Sequence, residues 1–143
     1  MSRQHRALIL AFALILAASL PAASQLPANM VGTWKGTATG VQIGPTPYRS
    51  AEGTSVKFPD NDIEFTYDIK EQHGNRFAGQ LSGGKHKETL IGALYPDNRG
   101  GIMLDDDGDY QFMLVDPNTM DLCYKHHYPA SKFAACFRVK RSR

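Results

Sequence analysis

Residues 62–70 read DIEFTYDIK, and their side chains alternate without a break. Ile63, Phe65, Tyr67 and Ile69 fall on one side of an extended strand. Glu64, Thr66, Asp68 and Lys70 fall on the other. This is the pattern of a strand with one face in a core and one in water. A helix would scatter the four apolar side chains around its circumference. With 13 Gly and 8 Pro along the chain, no segment after residue 25 reads as a helix. A tight turn at His73-Gly74-Asn75 leads into the next strand. Pairing Glu71 with Phe77, Ile69 with Gly79 and Tyr67 with Leu81 puts Phe77, Gly79 and Leu81 on the apolar face. A one-residue slip would set Lys70 against Phe77, so the pattern selects the register. Gly79 leaves room on that face for a bend or for something bound.

Six further segments read as strands: 31–41, 87–95, 101–106, 110–116, 120–126 and 133–141. Short turn signals (PDNRGG, DGD, DPNT and YPASK) separate most of them. Eight sequential strands with tight connections predict an all-β fold, an eight-stranded antiparallel up-and-down barrel. Closure would remove both exposed edges. A two-layer sandwich needs longer crossovers, and only residues 42–61 form a long connection. A membrane barrel needs an apolar outer face. Here the alternate faces carry Glu64, Asp68, Lys70, Asp121, Lys125 and Arg138, so the protein is not expected to be membrane-embedded.

The length of 143 residues fits one domain preceded by a leader. Arg3 and Arg6 precede an uncharged run, ALILAFALILAA, and the small residues Ala22 and Ser24 suit cleavage before Gln25. Twelve residues would span only about 18 Å at ~1.5 Å each, short of a ~30 Å hydrocarbon core. Residues 1–24 therefore read as a secretory signal peptide and 25–143 as the mature domain, secreted or periplasmic. Without Arg3 and Arg6 the 16 basic residues fall to 14, equal to the 14 acidic ones. Such a balance does not suit nucleic acid. The pattern sets no oligomeric state.

Secretion permits a disulfide, and only Cys123 and Cys136 are available. Opposing them aligns Leu122 with Phe137, Tyr124 with Ala135 and Met120 with Val139 on one apolar face. The same register sets Asp121 against Arg138 on the other. A solvent-side disulfide follows, with two packed free thiols as the alternative.

Gly32-Thr33-Trp34 opens the first strand. This resembles the Gly-x-Trp of the calycin superfamily, the lipocalins and avidins. There the Trp lies across the closed end of the barrel, beneath a basic side chain from the last strand. The resemblance implies that Trp34 and Arg141 close the barrel, with a cation–π contact between them, and that residues 42–61 act as a lid. Biotin binding is not implied, because avidin sites use several Trp residues and this chain has only Trp34. Some secreted protease inhibitors are similar small barrels that act through an N-terminal arm; residues 25–29 would be a short one.

The acidic run 105–109 resembles the start of a calcium loop, but Tyr110 stands where such a loop needs Gly. A hairpin turn at Asp107-Gly108 is the better reading, with weak calcium binding as the alternative. His73, His86, His126 and His127 lack metal spacing and read as solvated or turn residues, so no metal or cofactor is expected. Ser131, His126 and Asp121 share a hairpin with no geometry to join them. The inner face drawn from the pattern has almost no titratable groups, and no enzyme is expected. The candidate ligand site is that face: Trp34, Phe65, Tyr67, Phe77, Phe112, Tyr124 and Phe137. Gly32, Gly36, Ala38 and Gly40 would leave space beside it. The expected function is non-enzymatic binding of a small apolar or amphiphilic ligand in a cavity of several hundred Å³, the scale of typical pockets. The alternative is an inhibitor or interaction module with a filled core.

Overall fold

The computed structural model describes residues 26–50 and 53–142. The expected signal peptide lies outside the described residues. The strands are β1 (Gly32–Ala38), β2 (Val41–Ile43), β3 (Ile63–His73), β4 (Arg76–Gly83), β5 (His86–Leu94), β6 (Gly100–Leu104), β7 (Asp109–Asp116), β8 (Thr119–His127) and β9 (Lys132–Arg141). From β3 onward each pairs antiparallel with its successor, and β1 pairs with both β3 and β9. The short β2 continues β1 along β9 in the same register, Trp34 opposite Arg141 and Val41 opposite Ala134. The result is a closed eight-stranded antiparallel barrel with one interrupted strand. Among the described residues no helix is long and apolar enough to cross a membrane.

Period-two patterning explains the walls. Phe65, Tyr67 and Ile69 of β3 are buried, and so are Leu90 and Leu94 of β5, Tyr110 and Phe112 of β7, and Met120 and Leu122 of β8. Tyr67 pairs with Leu81 and Ile69 with Gly79. The ladder then shifts. Glu71 faces Ala78 and Gln72 faces Phe77, so the expected pairing of Glu71 with Phe77 is corrected. A bulge at Lys70 reverses the parity beyond it. Beyond the bulge Gln72 reaches the segment before β1. Its Oε1 accepts from Met30 N at 2.7 Å, and its Nε2 donates to the Ala28 carbonyl at 2.9 Å.

The small residues do not make space. A Cβ on Gly79 would lie 2.2 Å from the Asp68 carbonyl oxygen, and one on Gly36 would lie 2.3 Å from that of Arg138. A Cβ on Gly40 would meet the Phe133 ring at 2.5 Å. These positions let neighbouring strands approach, which corrects the reading of Gly79 and of the first strand as room for a ligand.

Cys123 faces Cys136 and the two are disulfide-bonded, both on the exposed side. Beside them Arg138 grips Asp121 through two hydrogen bonds of 2.6 and 2.8 Å. At the closed end Trp34 is fully buried, and the Arg141 guanidinium lies 4.2 Å from its ring centroid. The indole Nε1 donates to the Met30 carbonyl at 3.0 Å. Arg141 donates to the carbonyls of Val31, Asn29 and Pro117.

Replacing this enclosed indole leaves a cavity and an orphaned carbonyl. Trp34→Ala is expected to destabilise the fold by about 3–5 kcal/mol; an unchanged urea melt would refute the plug. Reducing the disulfide of the hairpin is expected to cost about 3 kcal/mol in the chain-entropy model, read as a lower melting temperature in the presence of dithiothreitol.

Candidate functional site

The other end of the barrel is built differently. It is rimmed by the turns after β4, β6 and β8 and by the long connection between β2 and β3. That connection folds over the opening. Gln42 and Lys57 exchange backbone hydrogen bonds of 3.0 and 2.8 Å at its base, and Thr46 and Arg49 exchange bonds of 2.9 and 3.2 Å near its tip. The tip delivers Tyr48 into the mouth. Its ring stands edge-on to Phe65 and His86, with centroids 5.0 and 5.3 Å away. Its hydroxyl donates to Glu88 Oε1 at 2.6 Å.

Beneath Tyr48 a cavity of about 30 Å³ remains, room for a water molecule or two. The expected space of several hundred Å³ is therefore corrected: side chains fill this conformation, and Tyr48 supplies the last of them. Phe65, Tyr67, Tyr124 and Phe137 line the cavity. Trp34, Phe77 and Phe112 do not; they pack into the closed half, Phe77 against Phe112 with centroids 6.1 Å apart. Tyr48, Tyr110 and Phe133 also line it and were not singled out from the sequence. Strand parity could have found two of them, since Tyr110 is in phase with Phe112, and Phe133 with Phe137.

The expectation of an inner face without titratable groups is corrected as well. Glu88 is in phase with Leu90 and Leu94, and only 8% of its surface is exposed. The turn after β6 brings Asp105 and Asp107 to meet it, and one oxygen from each of the three carboxylates lies within 4.8 Å of the others. The turn itself runs through Asp105 and Gly108, as the hairpin reading requires. Asp105 Oδ1 accepts from Gly108 N at 2.7 Å and Asp107 N at 3.2 Å. A phenol covers one oxygen of each aspartate. Tyr110 donates to Asp105 Oδ2 at 2.8 Å and Tyr124 donates to Asp107 Oδ1 at 2.5 Å.

His126 is buried here, not solvated as expected, while His127 points out. Its Nδ1 lies 3.1 Å from the Tyr124 hydroxyl and its Nε2 lies 3.3 Å from Ser131 Oγ. The acid at the end of this chain is Asp107, reached through Tyr124. Asp121, the acid that shares the hairpin, is paired with Arg138 outside.

Burial pushes the Glu88 carboxyl up to about 7; the Tyr48 hydrogen bond opposes this, and the charges of Asp105 and Asp107 add to it. Burial likewise raises Asp105, against the hydrogen bonds it accepts. Tyr48, Tyr67, Tyr110 and Tyr124 are all raised, foremost by burial, so they remain protonated donors. Several buried polar atoms here make no hydrogen bond, Nε and Nη1 of the cavity-lining Arg49 among them. Glu88 Oε2 accepts nothing, and the fully enclosed Tyr67 hydroxyl has no hydrogen-bond partner.

No protein-family model matches the chain, and no curated protein does. A solved structure of an S-type phycobiliprotein lyase from Guillardia theta is similar at 9% identity, covering 80% of this chain and 89% of that one, with a TM-score of 0.40. The expectation that this chain is not an enzyme is corrected by the site itself, where Glu88, Asp105 and Asp107 converge on the inner face. The titratable groups gathered at the mouth remove the premise on which that expectation stood.

A carboxyl raised by folding binds its proton more tightly in the folded state. Its stabilising contribution is full below the unfolded value near 4.5 and is lost as pH rises through about 7. The melting temperature of the protein is expected to fall between pH 5 and 8, and Glu88→Gln should flatten that fall. An unchanged pH profile in the variant would place the dependence elsewhere.

Proposed function

We propose that the protein binds a small amphiphilic ligand at the barrel mouth, and that the ligand takes the place of Tyr48. One observation carries this reading. The group that seals the mouth is a single side chain from a loop, set over aromatic rings and polar atoms that it leaves partly unsatisfied. Filled cores pair their buried polar groups. This mouth instead keeps Glu88 Oε2 and the Tyr67 hydroxyl bare. With Tyr48 withdrawn, Phe65, Tyr67, Tyr110, Tyr124, Phe133 and Phe137 would wall an aromatic pocket of the kind that holds small amphiphiles.

The calycin-like strand order and the Gly-x-Trp opening support this reading. The basic, apolar leader and the Cys123–Cys136 bond support a secreted or periplasmic setting, with residues 25–143 as the working domain. A second reading, contact with another protein, draws on the outer face. There Ile91, Ile102, Leu104, Met113 and Val115 are 44–53% exposed on neighbouring strands β5 to β7. The arm version of that reading has less behind it, since Gln72 and Arg141 hold the backbone of Ala28, Asn29 and Met30 against the barrel.

Tyr48→Ala tests the proposal, because it empties the mouth without touching a strand. The neutral fluorophore N-phenyl-1-naphthylamine is expected to bind the variant at least about tenfold more tightly than the unaltered protein, the equivalent of ~1.4 kcal/mol. Equal and negligible enhancement with both proteins, each with an intact far-UV strand signal, would remove the pocket reading.

A further inference from the structure

Taking the mouth as the ligand site, we infer that it selects a ligand with an organic cation, an ammonium group on an aromatic or apolar body. The ammonium seats among Glu88, Asp105 and Asp107.

The charge arrangement carries this. Three carboxylates converge within 4.8 Å. The ion pairs among the described residues are Lys70–Asp68, His73–Glu71, Lys125–Asp109 and Arg138–Asp121, and none includes a member of the cluster. Every hydrogen bond described above to these three groups comes from a neutral donor, a phenol or a backbone amide. Buried carboxylates that lack a counter-charge are costly unless they stay protonated or meet a cation. Two unsatisfied atoms mark the place for that cation, and Tyr67 lies outside the cluster. Glu88 is more than nine-tenths buried, yet its Oε2 accepts no bond, and the Tyr67 hydroxyl in the adjoining cavity wall is wholly enclosed and unpartnered.

The surroundings decide which cation. Tyr110 and Tyr124 stack beside the cluster with ring centroids 4.6 Å apart, and Tyr67 stands edge-on to Tyr110 at 5.7 Å. Aromatic faces attract a poorly hydrated organic cation. Calcium and magnesium require six or more oxygen ligands or retained waters, and here the hydroxyls of Tyr110 and Tyr124 already engage one oxygen each of Asp105 and Asp107. The basic group nearest by sequence to the plug is Arg49. It also lines the cavity; its Nη2 donates to the Asn61 carbonyl, its buried Nε and Nη1 make no hydrogen bond, and it forms no ion pair with the cluster. Arg49 belongs to the same loop tip as Tyr48, so withdrawal of the tip takes its charge away too. His86 packs against Tyr48 and His126 against Tyr124; neither bonds to a carboxylate of the cluster.

The test compares dansylcadaverine, a fluorophore bearing a primary ammonium, with its neutral N-acetyl derivative. Both are titrated at pH 8 into the mature protein and into Tyr48→Ala. The amine is expected to bind about tenfold or more tightly than the acetylated form. That preference should collapse in Glu88→Gln and in Asp107→Asn, two near-isosteric changes that check each other if one fails to fold. It should also shrink at pH 6, below the raised Glu88 value of about 7. Equal binding of the two fluorophores overturns the charge selectivity while leaving the pocket reading intact. Failure of both, together with failure of N-phenyl-1-naphthylamine, overturns the pocket reading itself. Calcium, magnesium and zinc chlorides are titrated alongside. A metal ion that displaces the amine and raises the melting temperature of the unaltered protein, but not of Glu88→Gln, overturns the organic assignment.

Discussion

The barrel exists because β1 and its continuation β2 close against β9. Gly36 is the narrowest point, where any Cβ would run into the Arg138 carbonyl. On either side of it the two strands keep one register, from Trp34 opposite Arg141 to Val41 opposite Ala134. Closure satisfies two rows of backbone groups that would otherwise be exposed edges. It also sets Arg141 over Trp34. From there one guanidinium ties down the carbonyls of Val31, Asn29 and Pro117, which come from opposite ends of the chain. A single charged group thus stands in for the strand pairing that the barrel end lacks.

The two ends then differ in kind. The closed end is held by strand backbone, a buried indole and donors to the carbonyls of Asn29, Met30, Val31 and Pro117. The mouth is held by one tyrosine on a loop, above carboxylates whose hydrogen bonds come from neutral groups. Each of those bonds is a modest gain, whereas an uncompensated buried charge is a large cost. The protein limits that cost by raising the affinity of Glu88 and Asp105 for protons. Stability is left unrealised at the mouth and not at the closed end.

Much of this architecture was legible in local pattern. Ile63, Phe65, Tyr67 and Ile69 announce an inner face because strand side chains repeat every two residues. The hairpin register around Cys123 and Cys136 followed from aligning apolar pairs, an ion pair and two thiols at once. The bulge at Lys70 left no trace in the alternation; beyond it Gln72 bonds to Met30, 42 positions away in sequence. At the site, Phe65, Tyr67, Tyr124 and Phe137 reach the mouth, whereas Trp34, Phe77 and Phe112 sit below it. Parity tells which face a side chain occupies but not at what height in the barrel. Glu88 carried a readable signal, a carboxylate in phase with Leu90 and Leu94. Its meeting with Asp105 and Asp107 did not, since those groups become neighbours only when β5, β6 and β7 lie side by side.

The sequence by itself determined the eight main strands, their order, their inner and outer faces and the register that sets Cys123 opposite Cys136. These depend on side-chain period and short turns, which act over a few residues. Only the tertiary structure decided how much space the barrel keeps and which charges share it. Those outcomes rest on where a long loop places Tyr48 and on how closely glycines let the strands approach, and both are set by contacts between segments far apart in the chain.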